Sequence, residues 1–109
     1  MFTLERLQCL GEALRDVMVT YKSNVALIEA DRKREKARFT YRELRAEGLR
    51  VTALVQELGV SPGDRAAILM SNQSKWLISA SGLLWSGATL VPLDYKLTAP
   101  EQLALLLHC

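Results

Sequence analysis

Trp76-Leu-Ile-Ser-Ala-Ser-Gly-Leu-Leu-Trp-Ser-Gly-Ala-Thr-Leu-Val-Pro-Leu93 runs without a charged side chain, in a 109-residue chain where Asp, Glu, Lys and Arg make up 24% of positions. A membrane-spanning helix needs roughly 20 mainly apolar residues, so length alone leaves that reading open. Composition argues against it. Ser79, Ser81, Ser86 and Thr89 dilute the segment, and Gly82, Gly87 and Pro92 interrupt a continuous helix. The stretch divides at Gly87, because glycine enters the left-handed conformation that follows many helix ends without steric penalty. A helix over residues 73–86 and a strand over 88–93 are predicted.

Upstream, Ser61-Pro62-Gly63-Asp64 is a turn, and Arg65 to Met70 is an apolar run that suits a strand buried on both faces. Ser71 or Asn72 can cap the helix that follows. Strand, helix and strand make a βαβ unit, whose crossover is expected to be right-handed.

Before this unit, Thr40-Tyr41-Arg42-Glu43 has capping-box spacing, with a hydroxyl that accepts from a backbone N–H and a carboxylate that reaches back. Tyr41, Leu44, Gly48, Val51, Val55 and Leu58 then form one apolar stripe, opposite Arg42, Glu43, Glu47, Arg50 and Glu57, and Gly59 ends the helix. A helical glycine costs about 1 kcal/mol relative to alanine, so Gly48 is expected to admit a closely packed neighbouring backbone. Leu49 lies outside the stripe and reads as a single exposed leucine rather than a contact surface.

The first part of the chain shows an amphipathic helix over about 3–21, a short strand at 25–30 and a second, antiparallel strand at 37–39. Arg32, Lys33, Arg34, Lys36 and Arg38 could form a phosphate patch or nuclear signal. Asp31 and Glu35 dilute the charge, which favours a solvated hairpin turn. At the other end, Thr98-Ala99-Pro100-Glu101 repeats the capping-box logic, and Leu103, Leu106 and Leu107 begin an apolar face. No terminating residue precedes Cys109, so this helix is expected to be cut rather than finished.

With 14 basic and 12 acidic residues the net charge is +2, too even to imply nucleic acid or an anionic membrane as partner. The N-terminal residues lack a basic region followed by an apolar stretch, which gives a cytoplasmic address as the expectation. Cys9, Cys109 and the lone His108 supply no disulfide framework, zinc site or histidine-based triad. No glycine-rich phosphate loop with a lysine is present, and Ser86-Gly87-Ala88-Thr89 reads as a helix-to-strand turn. Trp76 and Trp85 fit core positions better than a ligand stack, and the lone Asp31 and Asp94 fit turn or capping roles.

The order of the pieces is more specific than any one of them. Phe39-Thr-Tyr-Arg-Glu-Leu44, then Leu58 to Leu69, then Leu83-Leu-Trp-Ser-Gly-Ala-Thr-Leu-Val-Pro-Leu93 with Leu97-Thr98 and Glu101, resembles the N-terminal region of AMP-forming acyl-activating ligases. The resemblance covers about residues 24–107. It implies an α/β fold with part of a doubly wound, mainly parallel sheet and helices on both faces, and it makes 1–109 an incomplete piece of an AMP-binding, acyl-adenylating ligase domain.

It further implies a parent enzyme that joins a carboxylate to AMP from Mg-ATP, releases pyrophosphate and passes the acyl group to coenzyme A. ATP, Mg and coenzyme A belong to that full-length protein; no cofactor, metal or catalytic residue is assigned to this chain. Thr40, Tyr41, Glu43 and Leu44 match one family motif, Gly63 and Asp64 the turn before a strand, and Gly87, Pro92 and Leu93 another motif, all in structural roles. Ser71-Asn72 stands where many members have Pro-Asn, and Asp94-Tyr95 where Asn-Pro is common, which leaves the acyl class open with a tilt towards fatty or general acyl-CoA synthetases. The carboxylic or fatty acid substrate would be met only through the full-length protein, with no nucleic acid and no transmembrane span. Self-association of the piece is expected from its uncovered faces. The competing reading is a non-catalytic α/β binding or interaction module that keeps the scaffold.

Overall fold

Gly87 does divide the uncharged stretch. In the computed structural model, which describes residues 8–109, it sits at φ +83° between a helix at Ser74–Trp85 and a strand at Thr89–Leu93. The elements in chain order are α1 (Leu10–Thr20), β1 (Val25–Asp31), β2 (Arg34–Thr40), α2 (Tyr41–Glu57), β3 (Arg65–Leu69), α3 (Ser74–Trp85), β4 (Thr89–Leu93) and α4 (Ala99–His108). Among the described residues no helix is long and apolar enough to cross a membrane.

β3 and β4 pair in parallel, from Arg65 opposite Thr89 to Leu69 opposite Leu93, with α3 as the crossover. The α/β architecture is as expected, but the strands fall into two sheets of two. β1 and β2 are antiparallel, from Val25 opposite Thr40 to Asp31 opposite Arg34. Only Arg32 and Lys33 separate them, so the charged connection expected over 31–36 is mostly strand. A turn this short needs a residue at positive φ, and Arg32 takes it at +56°. For a non-glycine residue that conformation costs about 1–2 kcal/mol.

The core lies between α3 and one face of the parallel pair. Ile68, Ala80, Leu83 and Ala88 are buried together, with Val55, Val60, Ala66, Met70, Trp76 and Leu90 packed around them. β3 was expected to be buried on both faces; instead Ile68 is 4% exposed and the adjacent Leu69 47%. One face of the pair is open because no second layer among the described residues reaches it.

α2 and α3 pack antiparallel through their smallest residues. A Cβ on Gly82 would lie 2.5 Å from the Val51 Cβ and 2.6 Å from the Gly48 carbonyl oxygen, and one on Gly48 would lie 2.5 Å from the Trp85 ring. A side chain at Gly48 would thus meet the indole, while the close backbone approach that the sequence suggested is made by Gly82 against the Gly48 carbonyl. Thr52 Oγ1 donates across the seam to the Gly82 carbonyl at 2.7 Å. Leu58, assigned to the buried stripe, is 74% exposed because it is the C-cap residue, where the chain leaves the helix.

Helix starts follow the local chemistry to different degrees. Thr40 Oγ1 accepts from the Glu43 N–H at 3.2 Å and Glu43 Oε1 accepts from the Thr40 N–H at 3.1 Å, completing the box. Thr98 and Glu101 repeat it at α4. The first helix begins at Leu10; Gln8 and Cys9 lie outside it, since Cys9 is extended and the Gln8 N–H is taken by Glu12 Oε2 at 2.8 Å. The rest of the span expected from residue 3 lies outside the described residues.

The Thr40 N–H and hydroxyl, which favour the charged carboxylate, hold the Glu43 pKa below its ordinary value. The cap therefore stabilises fully above the ordinary carboxylate range, and that contribution is lost as pH falls through the lowered value. Thr40→Ala is expected to cost about 1 kcal/mol at neutral pH. Paired acid titrations of wild type and variant, followed by circular dichroism, should show this gap narrowing as Glu43 protonates.

Candidate functional site

In open α/β sheets, ligands meet the protein outside the carboxyl ends of the strands. Here that rim consists of Met70 to Asn72 after β3 and Asp94 to Lys96 after β4. Asp94 is a turn residue: its Oδ1 accepts from the Lys96 N–H at 2.9 Å and its carbonyl from the Leu97 N–H at 3.2 Å. Beside the rim, a groove of about 350 Å³ lies between β1 and the start of α3, lined by Leu27, Ile28, Glu29, Gln73, Trp76 and Leu77 among others. A more polar cleft adjoins it, with Asp31, Lys36 and Lys75 along its walls.

Neither Ser71 nor Asn72 caps α3. Gln73 is the N-cap residue and offers no side-chain cap; its Nε2 donates to Ser71 Oγ at 3.1 Å. The Ser74 N–H instead donates to Glu29 Oε1 at 3.1 Å, from the neighbouring hairpin. Local spacing could not reveal a partner 45 residues away. A charged residue inside the apolar run Val25-Ala-Leu-Ile-Glu-Ala30 was the one available signal.

The motif residues occupy three separate places. Thr40, Tyr41, Glu43 and Leu44 form the start of α2, where Leu44 is 2% exposed. Gly63, Asp64 and Gly87 meet at the amino ends of the parallel strands. There the Gly63 N–H donates to the Gly87 carbonyl at 2.9 Å, the Thr89 N–H to the Asp64 carbonyl at 2.7 Å, and the Ser61 N–H to Asp64 Oδ2 at 2.8 Å. Pro92, exposed, and Leu93, buried, lie at the far end of β4, opposite Ile68 and Leu69.

These turns do not make a phosphate cradle. The N–H groups of Gly87, Ala88 and Thr89 donate to the carbonyls of Leu84, Leu83 and Asp64, so none is free to face an anion. Among the described residues no group of three or more His, Cys, Asp or Glu side chains could hold a metal ion. The described residues thus do not fit an ATP–Mg site. Cys9 and Cys109 are free and exposed.

Residues 14–109 match the family of AMP-binding enzymes. A propanoyl:CoA ligase of Mycobacterium tuberculosis, whose acyl group carries a 7a-methyl-1,5-dioxo-octahydro-1H-inden-4-yl substituent, is 35% identical over 95 residues, covering 87% of this chain and 18% of the relative. A Mycobacterium tuberculosis fatty acyl CoA synthetase superposes with a TM-score of 0.79 at 30% identity, covering 88% of this chain and 18% of that one. The N-terminal subdomain of Klebsiella oxytoca NpsA shares the fold, with a TM-score of 0.84 at 23% identity over 93% of this chain and 25% of that one. The chain thus spans under a fifth of the curated ligase it matches, and resembles the N-terminal part of AMP-forming acyl-CoA ligases. It belongs to the AMP-binding enzyme family.

Proposed function

We propose that residues 1–109 form the N-terminal part of an acyl-adenylating domain in an ATP-dependent acyl-CoA ligase of the cytoplasm. In that enzyme a carboxylate oxygen attacks the α-phosphorus of Mg-ATP, expelling pyrophosphate. The thiol of coenzyme A then attacks the acyl carbon and releases AMP. The observation that carries this reading is the similarity over 95 residues to a CoA ligase, at 35% identity.

Thr40, Tyr41, Glu43, Leu44, Gly63, Asp64, Gly87, Pro92 and Leu93 serve as scaffold in this reading: a helix start, two interlocked turns and a strand. The substrate is a carboxylic acid, with fatty acids first among the classes to test. Pyrophosphate release by the full open reading frame, with a panel of carboxylic acids, tests the activity. Absence of acid-dependent release, with ATP binding also absent, would favour the non-catalytic module.

The isolated 109-residue chain is expected to show no micromolar affinity for Mg-ATP by calorimetry, since the amides of its turns are already engaged. It is also expected to self-associate through its uncovered apolar residues, Leu69 with Leu103, Leu106 and Leu107 of α4, the last 79% exposed. A single monomeric boundary in sedimentation velocity across a concentration series would refute that second expectation.

A further inference from the structure

Beside its packing against α2, the β1–β2 hairpin is hydrogen-bonded to the rest of the described chain at two levels. At its root, the Tyr41 N–H donates to the Asn24 carbonyl at 3.1 Å and the Arg42 N–H to the Lys22 carbonyl at 3.0 Å, with the Tyr21 and Tyr41 rings 6.2 Å apart. Further out, the hydrogen bond that ties it to α3 is the one from the Ser74 N–H to Glu29. No ladder joins the hairpin to β3 or β4.

The 350 Å³ groove lies between these parts, so one wall belongs to the hairpin and the other to the first turn of α3. Whatever sets the hairpin's angle about its root also sets the width of this groove at the carboxyl end of β3. The Glu29 carboxylate is suited to do so, since a negative charge is favoured at a helix N-terminus and the Ser74 amide otherwise has no intrahelical partner. Ser74 is itself buried, which makes leaving that amide unpaired costly.

We propose that Glu29 is a latch: by capping α3 from outside the helix it holds the hairpin closed over the rim of the parallel strands, and its release lets the hairpin swing about the Asn24–Tyr41 root. Glu29 is a positioning residue and takes part in no bond-making step. The device does not depend on the ligase reading, since its parts are a hairpin, a helix end and one carboxylate.

Amide hydrogen exchange on the 109-residue chain, read by residue, tests the latch. In Glu29→Ala, exchange is expected to quicken about tenfold at Ser74 and across the hairpin outward from Leu27, while α2 and β3 keep their protection. Glu29→Gln keeps an oxygen that can accept the Ser74 N–H and should stay closer to wild type. Unchanged hairpin exchange in Glu29→Ala would overturn the proposal, as would acceleration spread evenly through α2 and β3, which marks general destabilisation. Equal behaviour of the Gln and Ala variants would also overturn it.

Discussion

Gly82→Ala is expected to lower the unfolding midpoint by roughly 10–20 °C, the shift that a loss of about 2–3 kcal/mol produces in a domain of this size. Alanine is the better helix former by about 1 kcal/mol, so an exposed position would show the opposite sign. Here the added methyl would stand 2.5 Å from the Val51 Cβ and 2.6 Å from the Gly48 carbonyl oxygen. A flexible side-chain tip could give way, but a carbonyl inside α2 and the Cβ of a β-branched residue cannot move without parting the helices. That separation would also stretch the 2.7 Å bond from Thr52 to Gly82. Thermal unfolding followed at 222 nm measures the loss; a midpoint equal to or above wild type would refute the close approach.

Trp85→Ala is the second large effect, a loss of about 3–5 kcal/mol. The indole fills the notch left by Gly48, and its Nε1–H donates to the Gly11 carbonyl at 2.9 Å, so one side chain joins α1, α2 and α3. The more decisive measurement is a double-mutant cycle with Gly48→Ala. In the presence of Trp85 the new methyl would lie 2.5 Å from the ring and should destabilise. With Trp85 removed the same methyl enters vacated space and should stabilise, by up to about 1 kcal/mol from helix propensity. The change of sign is expected to appear as a coupling energy of about 1–3 kcal/mol. Additive effects would mean that Gly48 is not shaped by the indole. Urea titrations suit the cycle if the single variants melt broadly.

Local chemistry explains which parts of this arrangement could be read in advance. The two Thr-x-x-Glu boxes, the glycine at the α3–β4 turn and the alternation of strand, helix and strand all act within a few residues, so spacing revealed them. Features that depend on what another segment brings were less legible. Gly48 announced a close neighbour but not its identity, since ring and backbone leave the same mark in sequence. Leu69 has the composition of a core residue and is half exposed, because composition records a residue's preference for burial, not whether this chain supplies the cover. The Glu29 cap crosses between elements and leaves only a charge in an apolar strand as its trace. The rim residues behaved alike: Ser71 and Asn72 looked like caps for α3, and a carboxylate from the hairpin took that place.

Pro92 has a consequence for how the parallel pair meets other chains. The Thr89 N–H points towards β3, donating to the Asp64 carbonyl. Amide direction alternates along a strand, so Val91 and Leu93 face β3 as well, while Leu90 and Pro92 face outward. The N–H that proline lacks is therefore one the existing ladder never uses. Along its outer border β4 offers the Leu90 amide and then a gap, with a pyrrolidine ring where a neighbouring strand would seek a donor. A second copy finds a poor template there, so adhesion between copies should proceed by apolar contact and not by strand addition at β4.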